Sequence, residues 1–216
     1  MVKERKLNVF DFVGLAIYSM IGALIGAKGL FILVSWKQIV ALKLSFIEIL
    51  RGGFVFYGGL IGGAIGFFLY AKQFKITIKE YIAIFTTVIP LGHAFGRVGC
   101  FFAGCCYGIA YDGFAHIVYK ESADIATPLG VGLFPVQLLE AILLLALFVF
   151  LWLARRKNSL VIYGIGYALI RIGTEFLRGD VERGVFLGFS TSQWISIGIV
   201  LVIGITYIWK KIKTRA

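Results

Sequence analysis

A histidine, an arginine and three cysteines lie close together beside long apolar runs: His93, Arg97, Cys100, Cys105 and Cys106. Burying an arginine in hydrocarbon costs about 2.5–3.5 kcal/mol on insertion scales, so a buried arginine needs a partner. That partner is an acidic side chain, a water-filled cavity or an anionic ligand. Because the commonest anionic ligand in a membrane is a phospholipid headgroup, the segment favours a site for a lipid phosphate.

Helical geometry places three of these side chains on one face. At about 100° per residue, His93, Arg97 and Cys100 fall within about 60° of one another. For Arg97 the alternative is a structural arginine, either salt-bridged or extended towards the membrane interface. For His93 the alternative is a satisfied hydrogen bond between helices.

Glycines accompany this polar face. Gly92, Gly96 and Gly99 form the neighbouring stripe, which predicts that another backbone packs closely beside the arginine. Gly104 is expected to end the helix and to leave the last two cysteines at its mouth.

A second polar stripe follows later in the chain. Tyr167, Arg171, Glu175 and Arg178 are spaced four, four and three residues apart. Glu175 can neutralise only one of its two arginines. With Arg97 included, the predicted cavity holds three arginines and a single nearby acid, a surplus of about two positive charges that suits a phosphate bound by arginine forks. The alternative is a purely structural set of ion pairs.

The cysteines allow several interpretations. The spacing Cys100-x4-Cys105-Cys106 is not a usual zinc spacing even with His93, so the sequence predicts no metal and no cofactor. On an outer membrane face, Cys100 could form a disulfide with Cys105 or Cys106. Alternatively, a thiol at the mouth acts as nucleophile or proton carrier, with its pKa lowered by Arg97 and a protonated His93. Small apolar packing is the remaining interpretation.

Lys28 lies inside the first apolar segment, near its predicted outer end. Its ammonium group either extends to the interface or adds to the anion site. The sequence leaves both open.

Composition decides the class of protein that carries these residues. Hydrophobic residues make up 60% of the chain, charged residues 15%, and the mean hydropathy is +0.92. A soluble globule of 216 residues cannot bury that much apolar surface. The charged start is followed by an apolar run longer than a signal-peptide core and without an evident cleavage site, so it is expected to stay as the first transmembrane helix.

Six apolar segments are long enough to cross about 30 Å of hydrocarbon as helices. They cover residues 9–34, 54–71, 81–101, 136–154, 160–177 and 190–209. The sequence therefore predicts an all-α integral membrane protein, with about six spans in a single polytopic domain over residues 1–216.

Charge sets the predicted orientation. Most of the 22 basic residues flank the segments on one side, which places both termini in the cytoplasm. The third and fifth spans then end at the same outer leaflet, so the two polar clusters meet there. The net charge of +11 comes from these flanking runs, and the absence of a basic face on a soluble fold argues against nucleic acid as a partner.

Glycine also recurs every four residues in the first two spans. Gly22 and Gly26 show this spacing, as do Gly58, Gly62 and Gly66. Small residues at this spacing let helix backbones approach closely. A glycine-lined path for lipid or water is the alternative.

These residues resemble the motifs of one known family, the prolipoprotein diacylglyceryl transferases. The resemblance runs from the first span to the last. The matching elements, in order, are Gly-Gly-Leu-Ile-Gly at 58–62, the Gly-Arg-x-Gly signature at 96–108, Pro135-x-Gln137-x-x-Glu140, the stripe from Tyr167 to Arg178, and Ser190-x-x-Gln193.

The resemblance implies a reaction and a location. Enzymes of this family move the diacylglyceryl group of phosphatidylglycerol onto the lipobox cysteine thiol of a preprolipoprotein, forming a thioether and releasing glycerol phosphate. Arg97 and Arg171 would hold the phosphate and stabilise the departing anion. The protein is expected in the bacterial cytoplasmic (inner) membrane, with its site towards the outer leaflet. Substrate-binding roles are expected for Lys28, Tyr57, Gly96, Cys100, Gln137, Tyr167, Glu175 and Arg178.

The chain departs from the family pattern at proton-handling positions. Cys100 stands where the signature has its first asparagine, Ala103 where it has the second, and Cys105 where it has glutamate. Tyr57 occupies the place of a histidine, and the family's first span is expected to be absent. Either His93, Cys105 and Tyr57 have taken over proton transfer, or the reaction or acceptor differs.

The sequence thus predicts a phospholipid-dependent transferase with His93, Arg97, Cys105 and Arg171 as its catalytic set. Two alternatives stay open. One is a non-catalytic protein that binds or transports lipid, and the other is a thiol-redox membrane protein built on the three cysteines.

Overall fold

The computed structural model describes residues 7–124, 126–154, 158–180 and 185–213. The chain divides into two compact units, Met1–Tyr81 and Ile82–Ala216. The single domain predicted over residues 1–216 stays a prediction.

Among the described residues, the first unit contains two long helices joined by two short ones. Its helices are α1 (Val9–Val34), α2 (Trp36–Ala41), α3 (Phe46–Arg51) and α4 (Phe56–Gln73). Asn8 begins α1, where its side chain accepts a 2.9 Å hydrogen bond from the Phe10 amide. Ser45 and Glu48 begin α3 with a reciprocal capping box.

The predicted close packing of the periodic glycines is confirmed between α1 and α4. A Cβ atom on Gly22 would strike the Gly62 carbonyl, and one on Gly26 would strike the Gly58 carbonyl. Gly66 meets the Tyr18 carbonyl in the same way. The two backbones are therefore in direct contact, as small-residue interfaces in membranes require.

In the part of the chain that the structure describes, the second unit contains four long helices and two short hairpins. Helix α5 (Lys79–Ala103) begins three residues before the unit does. The other elements, in order, are β1 (Ile117–Val118), β2 (Gly132–Leu133), α6 (Val136–Ala154), α7 (Ser159–Glu175), β3 (Val185–Phe186), β4 (Phe189–Ser190) and α8 (Thr191–Lys213). Both hairpins, β1–β2 and β3–β4, pair antiparallel.

Small and aliphatic side chains bring three of these helices together. Ala94 of α5 packs with Ala141 and Leu144 of α6, all at most 3% exposed. Tyr167 and Ile170 of α7 pack against the same cluster. This contact holds the polar residues of α5, α6 and α7 within reach of one another.

Among the described residues, three helices are long and apolar enough to cross a membrane: Val9–Val34, Tyr81–Ala103 and Val136–Ala154. The predicted spans 9–34 and 136–154 coincide with α1 and α6. The protein is thus a mostly helical membrane protein. The count of six spans and the cytoplasmic termini stay predictions, and the basic residues at 1–6, 155–157 and 214–216 lie outside the described residues.

Candidate active site

A buried carboxylate joins the two predicted polar clusters. Glu140 of α6 lies with Oε1 3.0 Å from Arg97 Nη2 and with Oε2 3.8 Å from Arg171 Nη1. Its side chain is 1% exposed, and those of Arg97 and Arg171 are 12% and 4% exposed. The predicted meeting of the α5 and α7 clusters is confirmed, and Glu140 is the residue that connects them.

Arg171 has two further partners. Its Nη2 lies 2.6 Å from Glu175 Oε2, one helical turn away, and donates a 3.1 Å hydrogen bond to Ser192 Oγ. Ser192 is placed by the start of α8, where the Ser190 amide donates to Gln193 Oε1 and Ser190 Oγ accepts from the Gln193 amide. The Ser190-x-x-Gln193 motif is therefore a capping box that positions a partner of Arg171.

Arg178 lies just beyond α7 and is held in a separate pair. Its Nε and Nη2 donate to the two carboxylate oxygens of Asp180 at 2.8 and 2.6 Å. Burial disfavours its charge, but the Asp180 carboxylate holds the pKa of Arg178 above its ordinary value. The backbone there pairs with Gly108, and the Gly179 amide donates to the Tyr107 carbonyl at 3.0 Å.

The predicted surplus of two positive charges is wrong. Glu140, Glu175 and Asp180 balance the three arginines, because neighbouring segments supply acids that counting along one helix misses. The pairs are nevertheless incompletely satisfied. Arg97 Nε and Arg171 Nη1 are buried without a hydrogen-bond partner among the residues that the structure describes. Glu140 Oε1 and Glu175 Oε2 meet their arginines as ion pairs that lack hydrogen-bond alignment.

Unpartnered buried donors are uncommon and call for a partner of their own. Each costs about 1–3 kcal/mol when left unsatisfied. Because both donors belong to guanidinium groups, an anion that reaches Arg97 and Arg171 together would satisfy them. The site therefore offers an anion two buried donors without carrying a net positive charge.

His93 lies beside Tyr167 of α7. Its ring is 5.0 Å from that of Tyr167 between centroids, and Tyr163 stacks on Tyr167 at 5.9 Å. Arg97 and Arg171 both act on the imidazole electrostatically. The structure thus brings His93 and Tyr167 to the arginine cluster, as the sequence predicts.

The turn at residues 104–106, called the mouth here, follows the end of α5 and carries Cys105 and Cys106. The helix stops at Ala103, and Gly104 has φ +74°, which confirms the predicted break. Cys106 also has a left-handed backbone, with φ 58°. For a residue other than glycine this conformation costs about 1–3 kcal/mol, so the surrounding contacts must impose it.

Those contacts come from the 102–135 loop and from α6. Tyr119 Oη donates to the Phe101 carbonyl at 3.1 Å, and Thr127 Oγ1 donates to the Gly104 carbonyl at 2.8 Å. Gln137 Nε2 donates to the Cys105 carbonyl at 2.8 Å. The side chain of Gln137 thus holds the backbone at Cys105 in place. Its contact with substrate stays a prediction.

The three cysteines face one another across this turn. Their Sγ atoms all lie within 4.8 Å of one another, and none of the three forms a disulfide. Burial, followed by the neighbouring Cys106, raises the pKa of the Cys105 thiol. This direction is opposite to the one expected from nearby cations, and a role of Cys105 in catalysis stays a prediction.

Two residues predicted to bind substrate, Lys28 and Tyr57, lie in the first unit. The Lys28 ammonium donates to the carbonyls of Ile49, Gly52 and Gly53 at 3.0, 2.9 and 3.1 Å, and two phenylalanine rings flank it. Its three donors are thus committed to backbone, which favours the structural interpretation. Tyr57 is 52% exposed. Roles for Lys28 and Tyr57 in substrate binding stay predictions.

The glycine stripe of α5 does not have the predicted neighbour. Within the second unit, a Cβ atom on Gly92, Gly96 or Gly99 would meet no described atom within 4 Å. The close backbone packing predicted there is wrong for this unit, since α6 and α7 pack on the face that carries Ala94. A contact of Gly96 with substrate stays a prediction.

Glu140 and Asp180 are the two site residues that sequence reasoning missed as partners. Glu140 was visible as the last residue of the Pro135-x-Gln137-x-x-Glu140 element, in an otherwise apolar helix. Asp180 was visible two residues after Arg178. An acid in an apolar helix is a signal in itself, because it has to be paired.

Known proteins carry the same sequence features over nearly the whole chain. The sequence profile of a family described as prolipoprotein diacylglyceryl transferase matches residues 1–209. The phosphatidylglycerol–prolipoprotein diacylglyceryl transferase of Clostridium tetani (strain Massachusetts / E88) is 36% identical over 213 residues, covering 94% of this chain and 82% of that protein. The enzyme named phosphatidylglycerol–prolipoprotein diacylglyceryl transferase 2 of Clostridium perfringens (strain 13 / Type A) is 34% identical over 217 residues, with 98% and 84% covered.

A more distant relative extends the comparison. The phosphatidylglycerol–prolipoprotein diacylglyceryl transferase of Dehalococcoides mccartyi (strain ATCC BAA-2266 / KCTC 15142 / 195) is 31% identical over 193 residues, covering 87% of this chain and 71% of that protein. The profile match and the shared length leave one conclusion. This chain belongs to the prolipoprotein diacylglyceryl transferase family.

Proposed function

We propose that this protein transfers the diacylglyceryl group of phosphatidylglycerol to the cysteine thiol of a prolipoprotein, at the outer leaflet of the bacterial cytoplasmic membrane. The names of its relatives support the substrates. The observation that carries the proposal is the pair of buried guanidinium nitrogens, Arg97 Nε and Arg171 Nη1, that have no hydrogen-bond partner among the described residues. They are suited to one phosphate diester between α5 and α7.

The reaction is a displacement at carbon. The acceptor sulfur forms a bond to the glyceryl carbon as the carbon–oxygen bond to phosphate breaks, and glycerol phosphate leaves with the electron pair. Negative charge grows on the leaving phosphate, so donors already aimed at it stabilise the transition state more than the ground state. Arg97 and Arg171 supply those donors.

Acidic side chains compensate the buried charges of the arginines. Glu140 lies between the two arginines, and it offsets charges that would otherwise be buried alone. Its contact with Arg97 lacks hydrogen-bond alignment, so a phosphate that reaches Arg97 Nε would add a hydrogen bond that Glu140 does not make. Glu175 and Ser192 meanwhile fix the orientation of Arg171.

The attacking thiol must also lose a proton. The residues expected to take it are His93, Cys105 and Tyr57. Cys105 is the poorer candidate because burial raises its pKa. In a site without metal, His93 is the proposed acceptor, since imidazole is the usual general base near neutral pH and this one lies one turn from Arg97.

The experiment that tests the proposal follows both products. Purified protein in phosphatidylglycerol vesicles is incubated with a lipobox peptide, and mass spectrometry records the peptide and the released headgroup. We expect the peptide to gain one diacylglyceryl group for each glycerol phosphate released, and a peptide with serine in place of its cysteine to gain none. Lipid binding without either product would instead support the non-catalytic alternative.

A further inference from the structure

The three thiols form a compact donor set that the proposed phosphate site does not use. Cys100 comes from the last turn of α5, and Cys105 and Cys106 come from the turn that follows. Their Sγ atoms all lie within 4.8 Å of one another. Soft thiolate ligands at such separations select zinc and related metals.

The turn is held in the shape that brings the thiols together. The Cys105 amide donates to the Cys100 carbonyl at 3.2 Å, and Gln137 holds the Cys105 carbonyl at 2.8 Å. The left-handed backbone of Cys106 places two consecutive cysteines around one point. This explains how adjacent cysteines, which rarely bind one ion, can do so here.

The surrounding charges suit an anionic complex. Three thiolates around Zn²⁺ carry one net negative charge. The guanidinium groups of Arg178 and Arg97 both interact electrostatically with the Cys106 thiol. Cations that would repel a bare metal ion thus stabilise the trithiolate complex.

We propose that Cys100, Cys105 and Cys106 bind one zinc ion whose fourth coordination position takes the acceptor thiol as a thiolate. Zinc with three protein ligands and one open position is the usual catalytic arrangement. Cys100 and Cys105 stand where the signature has asparagine and glutamate, so the metal would occupy the place of lost polar groups. The role of the fourth position rests on the proposed transferase function.

Zinc changes how the thiol is activated. The acceptor thiol coordinates zinc and releases its proton to water at the mouth, since the metal lowers the pKa of a bound ligand. The zinc-bound sulfur then attacks the glyceryl carbon, the carbon–oxygen bond breaks, and glycerol phosphate leaves with the electron pair. The thioether product dissociates because it is a weaker ligand than thiolate, and zinc keeps its oxidation state.

This chemistry takes place away from His93. Cys100 follows His93 by seven residues, which is about 10 Å along a helix axis. A thiol bound at the mouth is therefore out of reach of the imidazole as a direct general base, and zinc takes over the role that His93 has in a metal-free site.

The first test measures metal binding by the full chain in detergent, reduced and then loaded with zinc. We expect about one zinc ion per chain. Replacing an outer-shell group costs 10–100-fold in metal affinity, so loss of a ligand in Cys100→Ser, Cys105→Ser or Cys106→Ser should cost at least about 100-fold. Thr206→Ser, a change of similar size whose hydroxyl bonds only within α8, should bind zinc unchanged. Wild-type zinc binding no tighter than that of the serine variants would overturn the proposal.

Cobalt substitution keeps the test decisive if a serine variant misfolds. Cobalt(II) in the unaltered protein should show sulfur-to-metal charge-transfer absorption whose intensity corresponds to three thiolates. Adding a lipobox peptide should raise that intensity, and the serine peptide should not. Cobalt absorption without a thiolate contribution would contradict a three-thiolate site. A disulfide that re-forms between two of the cysteines during loading with cobalt would contradict it as well.

Activity then separates this proposal from the proposed function. Zinc-free protein should lose at least 100-fold in turnover and recover it on reloading. Full turnover without zinc would overturn the metal site and leave the transferase function standing. Peptide binding to cobalt without any lipid product would support the metal site and count against the transferase function.

Discussion

Glu140 Oε1 lies 3.0 Å from Arg97 Nη2 in a site where the glutamate side chain is only 1% exposed. This contact joins α6 to α5, and the second carboxylate oxygen faces Arg171 of α7. Glu140 therefore pairs with two buried arginines. Without it, Glu175 would be the acid left to balance both of them. A lipid phosphate would enter this network as a third anion, beside Glu140 and Glu175.

Replacing Glu140 by glutamine should destabilise the empty protein and increase its stabilisation by phosphatidylglycerol. Removing one partner of a buried pair typically costs about 3–5 kcal/mol, because the remaining charge is uncompensated. A bound phosphate would restore that compensation. Thermal unfolding of Glu140→Gln, with and without phosphatidylglycerol, measures both effects.

The matched control is Glu121→Gln, which removes a carboxylate from an exposed position of the same unit. It should unfold like the unaltered protein and respond equally to lipid. If Glu140→Gln gains no more from phosphatidylglycerol than Glu121→Gln does, the phosphate does not lie beside Glu140.

His93→Gln distinguishes the two ways of activating the thiol. Loss of a general base usually lowers turnover by about 100-fold or more. With zinc bound at the cysteines, we expect the variant to keep turnover within about tenfold of the unaltered enzyme, since the metal supplies the thiolate. The rate is measured in zinc-loaded protein by headgroup release. A 100-fold loss that zinc does not relieve would return the base role to His93.

Membrane orientation can be tested on single introduced cysteines in a cysteine-free background. Lys120 lies in the predicted outer loop and Lys72 at the predicted cytoplasmic end of α4, and both are exposed. Lys120→Cys should react with an impermeant thiol reagent in intact cells, and Lys72→Cys only after permeabilisation. The reverse pattern would place both termini outside the cytoplasm.

Sequence patterns predicted the helices better than the contacts between them. The predicted spans 9–34 and 136–154 match α1 and α6 because polar residues or proline bound their apolar runs. The break at Gly104 followed from the backbone freedom of glycine. Close packing of α1 on α4 followed from the four-residue glycine spacing.

Properties that depend on neighbouring elements were not accessible in this way. The charge surplus was wrong because Glu140 and Asp180 pair with arginines of other segments. The close grouping of the three Sγ atoms could not be predicted from the cysteine spacing, because the left-handed backbone of Cys106 has no sequence signal outside glycine and asparagine. Desolvation at Cys105 likewise depends on the loop that covers it.

The central claim is that Arg97 and Arg171 hold one phosphate, and a double-mutant cycle on phosphatidylglycerol binding tests it most directly. Arg97→Ala and Arg171→Ala should each weaken binding, with a coupling energy of roughly 0.5–3 kcal/mol, as residues with a shared partner show. Lysine at either position should restore binding only in part, because a point charge cannot reproduce the guanidinium fork. Strictly additive losses, or full binding by either lysine variant, would contradict a shared phosphate.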